Sequence, residues 1–131
     1  MLVINYVTQP AYINMFRFKE ENSLAKRSSE SLKILSKWPD KVPIIMEKSA
    51  NSRVEDFPKN KFLCPADYSV HQFLSSVRKK INVGKDTALF VFINGTELAA
   101  GDTSMSVLYQ LKRDDDGFLY ILLSDQEVMG N

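Results

Sequence analysis

The segment SVHQFLSSVRKKI, residues 69–81, decides the fold because it predicts a helix with one apolar face. Ser69 and Gln72 have the spacing of a capping box, in which a hydroxyl and an amide satisfy backbone donors at the helix start. The apolar side chains that recur at helical spacing are Val70, Phe73, Leu74, Val77 and Ile81. Such a helix must cover an apolar surface, which the rest of the chain has to supply.

Four segments around this helix predict the sheet that it covers. Residues 88–93 and 118–123 are nearly continuous apolar runs, which is typical of strands buried on both faces. Residues 42–48 and 61–65 predict two earlier strands. We expect Pro43 at the beginning of its strand or on an edge, because proline has no N–H to donate.

A second helix is predicted over residues 23–37, where Leu24, Leu32 and Leu35 recur at helical spacing. It should end before Pro39, since the residue that precedes a proline is disfavoured in helical geometry. These elements together predict an α+β fold, in which a β-grasp sheet carries the 69–81 helix across one face.

The remaining segments are short or irregular. Residues 49–60 predict a polar connection and residues 104–110 a short helical segment, while Asn94-Gly95 and Asp116-Gly117 are turn signals. Residues 1–22 are rich in apolar and aromatic side chains without clean periodicity. We therefore divide the chain into an N-terminal extension (1–22), a domain with its preceding helix (23–124) and a C-terminal tail (125–131).

Composition excludes several classes of protein. The 131 residues include 44% apolar and 25% charged side chains, which is typical of a globular domain. Seventeen basic and sixteen acidic residues nearly cancel, so no strong field attracts nucleic acid. Residues 1–61 nevertheless carry eleven basic against seven acidic side chains. No apolar run approaches the roughly twenty residues that span a bilayer, and Met1–Asn5 does not have the basic start of a secretory signal.

The sequence offers no catalytic constellation and implies no cofactor. Cys64 is the only cysteine, so neither an intrachain disulfide nor a cysteine-rich metal site can form. A hydrolase using Cys64 with His71 is possible in principle, but a cysteine in an apolar strand more often behaves as a small hydrophobe. A binding protein is the better class.

Two further motifs resemble known sites but are better explained as turns. In an EF-hand alignment of the run Asp114–Gly117, Lys112 and Leu123 occupy positions that need oxygen ligands, so we predict a solvated hairpin turn instead. The glycosylation sequon Asn94-Gly95-Thr96 is likewise predicted to be a plain turn.

Consecutive stretches of the chain carry a family resemblance. They are Glu30-Ser31, WPDKVPIIMEK at 38–48, KFLCPAD at 61–67, Gln72-Phe73, VRKKI at 77–81, Met105-Ser106, Leu108-Tyr109 and DGFLY at 116–120. In this order they resemble the ubiquitin-like modifiers of autophagy, the group of GABA-receptor-associated proteins and microtubule-associated-protein light chains. The resemblance runs from about Leu24 to Gly130 and implies a ubiquitin-like β-grasp core preceded by helices.

The resemblance also implies a function without catalysis. Family members are cleaved after a C-terminal glycine by a cysteine protease, then joined to phosphatidylethanolamine by activating and conjugating enzymes. Gly130 would be that glycine here, with Asn131 removed and Met129 standing where the family prefers an aromatic residue. The expected location is cytoplasmic, with a lipidated pool on autophagosome membranes. The alternative is a ubiquitin-fold adaptor that is never conjugated.

The family recruits cargo receptors and adaptors that bear an aromatic-x-x-aliphatic motif. The resemblance implies that the partner peptide adds a strand beside residues 61–65. Its aromatic side chain would enter a pocket lined by Glu30, Ile34, Pro43, Ile45, Lys61, Leu63 and Phe118. Its aliphatic side chain would enter a second pocket near Phe62, Cys64, Pro65, Tyr68 and Phe73. Lys61 and Arg78 would meet acidic residues that flank the motif.

Overall fold

The computed structural model describes residues 16–128, and its elements follow the predicted order with two additions. The helices are α1 (Arg17–Glu21), α2 (Leu24–Lys37), α3 (Val70–Lys80) and α4 (Met105–Lys112). The strands are β1 (Lys41–Lys48), β2 (Lys61–Pro65), β3 (Phe90–Ile93), β4 (Glu97–Leu98) and β5 (Leu119–Ser124). Helix α1 and the two-residue strand β4 are the elements that the sequence pattern did not predict.

The described strands form one mixed sheet in the order β2-β1-β5-β3-β4. Strands β1 and β5 are parallel and lie at its centre, where Ile44 pairs with Leu119, whereas the other neighbours are antiparallel. Pro43 precedes the first residue of β1 that pairs with β5, in agreement with the position predicted from its missing N–H. The α+β prediction is therefore confirmed.

Helix α3 covers one face of the sheet as predicted. Ser69 accepts a hydrogen bond from the Gln72 backbone N–H and its own N–H donates to the Gln72 side chain, so the capping box is complete. Val70, Phe73 and Val77 are buried against residues of β1, β2 and β5. The apolar stripe of this helix therefore forms the main core.

The opposite face carries a second, aromatic core that includes the first described residues. Phe16 and Phe18 are each 4% exposed. Their rings lie 5.0 Å from the Tyr120 ring and 5.5 Å from the Phe118 ring, respectively, in edge-to-face arrangements. The Glu47 carboxylate accepts the first backbone N–H groups of α1, from Arg17 at 2.9 Å and Phe18 at 3.0 Å. Residues 16–21 thus pack on the sheet, while residues 1–15 lie outside the described part of the chain.

Helix α2 has close to the predicted bounds, but two of the three leucines that predicted it are not buried. Leu24 and Leu32 are 53% and 63% exposed. The side turned to the sheet instead presents Ser31, which is buried, and Ile34, which is half-buried against the aromatic core. A polar network at this contact explains why the helix turns in this way.

That network is centred on Asp116 and corrects the prediction of a solvated turn. The Asp116 side chain is fully buried, and its carboxylate accepts from Arg27 Nε at 2.8 Å and from the Tyr120 hydroxyl at 2.6 Å. The backbone N–H of Phe118 donates to the same carboxylate at 2.8 Å, and Ser31 Oγ donates to the Asp116 carbonyl. Burial, followed by the hydrogen bond to Asp116, raises the pKa of Tyr120 and keeps its hydroxyl a donor. Asp116 is a structural anchor for α2.

The turn at Asn94-Gly95 forms as predicted. Asn94 and Gly95 have φ angles of 55° and 81°, the left-handed geometry of a tight hairpin turn between β3 and β4. Over residues 16–128 no helix is long and apolar enough to cross a membrane. The same residues contain no group of three or more His, Cys, Asp or Glu side chains placed to hold a metal ion.

Candidate functional site

Strand β2 lies at one edge of the sheet, and its outer side is paired with no strand among residues 16–128. Its register with β1 decides which backbone groups face outward. Met46 N–H donates to the Asn60 carbonyl and Ala66 N–H to the Asp40 carbonyl, so even-numbered residues of β1 form the hydrogen-bonded pairs. Pro43 and Leu63 form a pair without hydrogen bonds between β1 and β2, so the missing N–H of Pro43 leaves no acceptor of β2 without a partner. The backbone groups of Lys61 and Leu63 consequently point away from β1, toward the open edge.

The side chains of β2 alternate between the two faces of the sheet as predicted. Phe62 and Cys64 are buried in the core beneath α3, and the Phe62 ring lies 6.4 Å from the Phe73 ring. Lys61 and Leu63 are exposed on the other face, beside α2. The open edge is therefore flanked by different surfaces above and below.

The residues predicted for the aromatic pocket are brought together on the α2 side. Lys61 Nζ forms an ion pair with the Glu30 carboxylate and lies 5.4 Å from the centre of the Phe18 ring. Ile34 packs against the aromatic core that contains Ile45 and Phe118. Pro43 pairs with Leu63 across the two strands. The structure thus places all seven predicted residues on the α2 side of β1 and β2.

Their accessibility is uneven. Ile45 and Phe118 have no exposed surface and Pro43 is buried, so these three form a closed floor. Leu63, at 37% exposure, and the Lys61–Glu30 ion pair form the rim. An aromatic ring can therefore reach the floor only if the rim side chains move apart.

The second predicted pocket lies on the α3 side and is also closed at its base. Phe62, Cys64 and Phe73 are buried, and Tyr68 is half-buried against the same core. Pro65 is half-buried at the end of β2. Sequence reasoning missed Lys80, whose Nζ lies 6.0 Å from the centre of the Phe62 ring. The only sequence feature that pointed to Lys80 was its position as a basic residue in the last turn of α3.

Arg78 is engaged elsewhere. Its guanidinium donates to the carbonyls of Gly84 and Thr87, in the loop that follows α3. The structure therefore uses Arg78 to brace this loop, and it does not group Arg78 with Lys61 at the rim. Lys80 is the basic residue of α3 that lies beside the second pocket.

The surroundings of Cys64 disfavour nucleophilic catalysis. Burial raises the pKa of the Cys64 thiol to about 12, so almost no thiolate exists near neutral pH. The Cys64 thiol donates a hydrogen bond from Sγ to the Pro65 carbonyl oxygen, at 3.4 Å. His71 is exposed on α3, where its backbone N–H donates to the Gly101 carbonyl. This thiol has the environment of a structural core residue.

Gly130, the predicted attachment point, lies outside the described residues. The last described part of the chain is Asp125–Val128, which leaves the end of β5.

Comparisons with known proteins cover most of the chain. The family model described as autophagy protein Atg8, ubiquitin-like, matches residues 26–130. Autophagy-related protein 8a of Arabidopsis thaliana is 44% identical over 114 residues, 87% of this chain and 93% of that protein. Autophagy-related protein 8b of the same plant is 42% identical over 113 residues, 86% of this chain and 92% of that protein. The crystal structure of Trypanosoma brucei ATG8 superimposes with a TM-score of 0.81 at 34% identity, covering 88% of this chain and 98% of that one.

Proposed function

The chain belongs to the Atg8 family of ubiquitin-like autophagy proteins, and from this premise we propose that it is a protein modifier that docks partner peptides along β2. The observation that carries the proposal is the open edge of β2, where the outward backbone donors and acceptors of Lys61 and Leu63 pair with no strand among residues 16–128. An extended peptide would pair with these groups as an additional strand.

The geometry of the edge supports a motif with aromatic and aliphatic side chains three residues apart. Alternate side chains of a strand point to opposite faces, so residues separated by three positions lie on different sides of the sheet. The aromatic residue would contact the α2 side near Leu63, and the aliphatic residue the α3 side near Tyr68, which packs against the core beneath α3. The two floors are apolar, which suits both side chains.

Charge would tune this interaction. Acidic residues beside the motif would compete with Glu30 for Lys61 and meet Lys80 on the other side. Exposed charges of this kind mainly change association rates and salt dependence. Two small anchors imply an affinity in the micromolar range, about −8 kcal/mol.

The docking proposal is tested by titrating a Trp-x-x-Leu peptide into isotope-labelled protein and following amide shifts. We expect the largest shifts along 61–65 and in the facing parts of α2 and α3. Leu63→Ala should weaken binding about tenfold, as truncation of a contact residue commonly does. Leu111→Ala is the matched control, because Leu111 is an exposed leucine on α4. Shifts confined to other surfaces would contradict the proposal.

We further propose that the chain is cleaved after Gly130 and joined there to phosphatidylethanolamine. A cysteine protease would remove Asn131, and activating and conjugating enzymes would transfer the glycine carboxyl to the lipid amine. The two acyl chains would each contribute about 0.8 kcal/mol per buried CH₂, which is sufficient for stable anchoring. The protein would then divide between the cytoplasm and autophagosome membranes, where it would recruit cargo receptors.

Intact mass after incubation with the family's processing and conjugating enzymes tests this second step. We expect loss of Asn131 and gain of one phosphatidylethanolamine in the wild type, and neither in Gly130→Ala. An unmodified wild type with active enzymes would contradict the modifier and favour an unconjugated adaptor. Peptide titration cannot distinguish a modifier from an unconjugated adaptor, because both would bind the peptide along β2.

A further inference from the structure

The tail that leaves β5 is fastened to the connection between β1 and β2. The Asp125 carboxylate accepts from Arg53 twice, from the backbone N–H at 3.2 Å and from Nε at 3.3 Å. Three residues later, the Val128 carbonyl accepts from Asn51 Nδ2 at 3.3 Å. We call these contacts the tail clasp, with Asn51 and Arg53 on the connection and Asp125 and Val128 on the tail.

The connection side of the clasp is anchored to the domain. Ser49 is buried, and its backbone N–H donates to the Leu123 carbonyl at 2.9 Å. The Ser49 hydroxyl donates to Asn51 Oδ1 at 2.7 Å, which orients the Asn51 amide so that Nδ2 faces the tail. The connection therefore presents fixed donors where the sequence predicted only a polar linker.

The tail side is equally well defined. Only 8% of the Asp125 side chain is exposed, although Arg53 itself is largely in solvent. Desolvation acts to raise the pKa of Asp125, but hydrogen bonds from Arg53 and Gln126 outweigh it and hold this pKa below its usual range. Gln126 N–H also donates to Ser124 Oγ at 2.9 Å, which continues the ordered path beyond β5. The Asp125 carboxylate is therefore ionised at neutral pH and can accept these hydrogen bonds.

We propose that Asn51 and Arg53 hold the tail against the domain and so set the fraction of chains whose tail can enter a processing enzyme. This inference rests on the proposed processing at Gly130, which is two residues beyond Val128. An enzyme that takes an extended tail into a narrow channel needs the backbone groups before the scissile bond. The Val128 carbonyl is one of these groups, and it is engaged by Asn51 in the closed state.

The direction and size of the effect follow from this competition. When only the open form binds, the apparent affinity is reduced by the open fraction. Three hydrogen bonds form the tail clasp, and Asn51→Ala and Arg53→Ala each remove one of them, because the Arg53 backbone N–H remains in the variant. Each exposed hydrogen bond favours the closed form by a small margin, so either substitution should increase kcat/KM for processing about threefold to tenfold. Direct recognition of Arg53 by the enzyme predicts the opposite sign, which separates the two explanations.

The experiment compares full-length wild type, Asn51→Ala, Arg53→Ala and Lys59→Ala. Lys59 is the matched control, because it is exposed on the same connection. The rate at which a nonspecific carboxypeptidase removes C-terminal residues measures the tail clasp itself. We expect this trimming to slow at Val128 in the wild type and in Lys59→Ala. In Asn51→Ala and Arg53→Ala we expect trimming past Val128 to be several-fold faster. The family's processing protease then gives kcat/KM for loss of Asn131, expected to rise in Asn51→Ala and Arg53→Ala only.

The two readouts keep the inference separate from the proposed function. Equal trimming of all four proteins would overturn the clasp, whatever the processing protease does. Unequal trimming with unchanged or reduced kcat/KM would overturn its control of processing. If the protease does not cleave the wild type but trimming still differs, the proposed processing at Gly130 fails while the clasp is supported. Equal thermal unfolding midpoints of the four proteins are required, so that unfolding does not explain the rates.

Discussion

Asp116 is the residue on which the attachment of α2 to the sheet depends. Its fully buried carboxylate accepts hydrogen bonds from Arg27, from the Tyr120 hydroxyl and from the Phe118 backbone N–H. We predict that Asp116→Ala lowers the free energy of unfolding by about 3–5 kcal/mol, because it leaves a nearly buried guanidinium and two other donors without a partner. Urea unfolding followed by far-UV circular dichroism measures this loss.

The neighbouring aspartate provides the control. Asp115 is exposed in the same turn, so Asp115→Ala should change the free energy of unfolding by no more than about 0.5 kcal/mol. Comparable losses in the two variants would show that the turn, rather than the buried network, carries the stability. A normal stability of Asp116→Ala would contradict the anchoring role directly.

Residue identity alone could not single out Asp116 in the run Asp114–Gly117. The three aspartates are chemically equivalent, and their partners lie far away along the chain: Arg27 is separated from Asp116 by 89 positions. Gly117, with φ +91°, fixes how the turn orients the preceding carboxylate. Only the packed structure brings these groups together, which is why a solvated turn was the wrong expectation.

At the level of elements, the capping box of α3 is a local device that can be tested locally. Ser69→Ala removes the acceptor for the Gln72 N–H, and we predict a loss of about 1 kcal/mol in the free energy of unfolding. Ser75→Ala is the matched control, because Ser75 is exposed inside the same helix, where alanine is favoured. Chemical denaturation midpoints at constant m value check both variants. Equal losses would contradict the capping argument.

Elements that depend on local sequence patterns could be predicted well. Features that depend on contacts between distant parts of the chain could be predicted only in part. The bounds of β2 and the alternation along it followed from the sequence pattern. The position of β2 at the sheet edge depends on strand order, which no local pattern encodes, so only the family resemblance implied it. In α2, Ser31 lies on the same helical face as Leu24 and Leu35, but a serine gives no apolar signal, so periodicity could not reveal that Ser31 is buried.

The candidate site was predicted to a similar degree. The resemblance implied seven residues for the aromatic pocket, and all of them lie on the α2 side of the sheet, but residue type could not show that Ile45 and Phe118 form a closed floor. Both are also central residues of the second core, and their apolar character serves this packing as well as the proposed recognition. Lys80 was missed because helix-end lysines usually serve only the helix dipole.

For the whole molecule, the sheet is the shared layer between two cores. The α3 side contains Phe73, and the other side contains Phe18 with Phe118 and Tyr120. Helix α1 and the turn after α4 are joined by the ion pair between Lys19 and Asp114, at 2.6 Å. These connections argue that residues 16–37 belong to the same cooperative unit as the sheet, rather than forming an appendage.

We therefore predict one unfolding transition for both faces of the sheet. Trp38, the only tryptophan, follows α2 and reports the α2 side, whereas far-UV circular dichroism reports the whole chain. Phe73→Ala, on the opposite face from Trp38, should lower the free energy of unfolding by about 3–5 kcal/mol and shift both signals together. Phe18→Ala should shift both by a similar amount, and the exposed control Leu111→Ala should shift neither. If residues 16–37 were an independent appendage, Phe18→Ala would move the Trp38 fluorescence transition alone, and Phe73→Ala would leave that transition in place. Coincident transitions with unchanged m values would show instead that the aromatic core and the α3 core unfold cooperatively. The structural basis of this coupling is the pair of central strands β1 and β5, which contribute side chains to both cores.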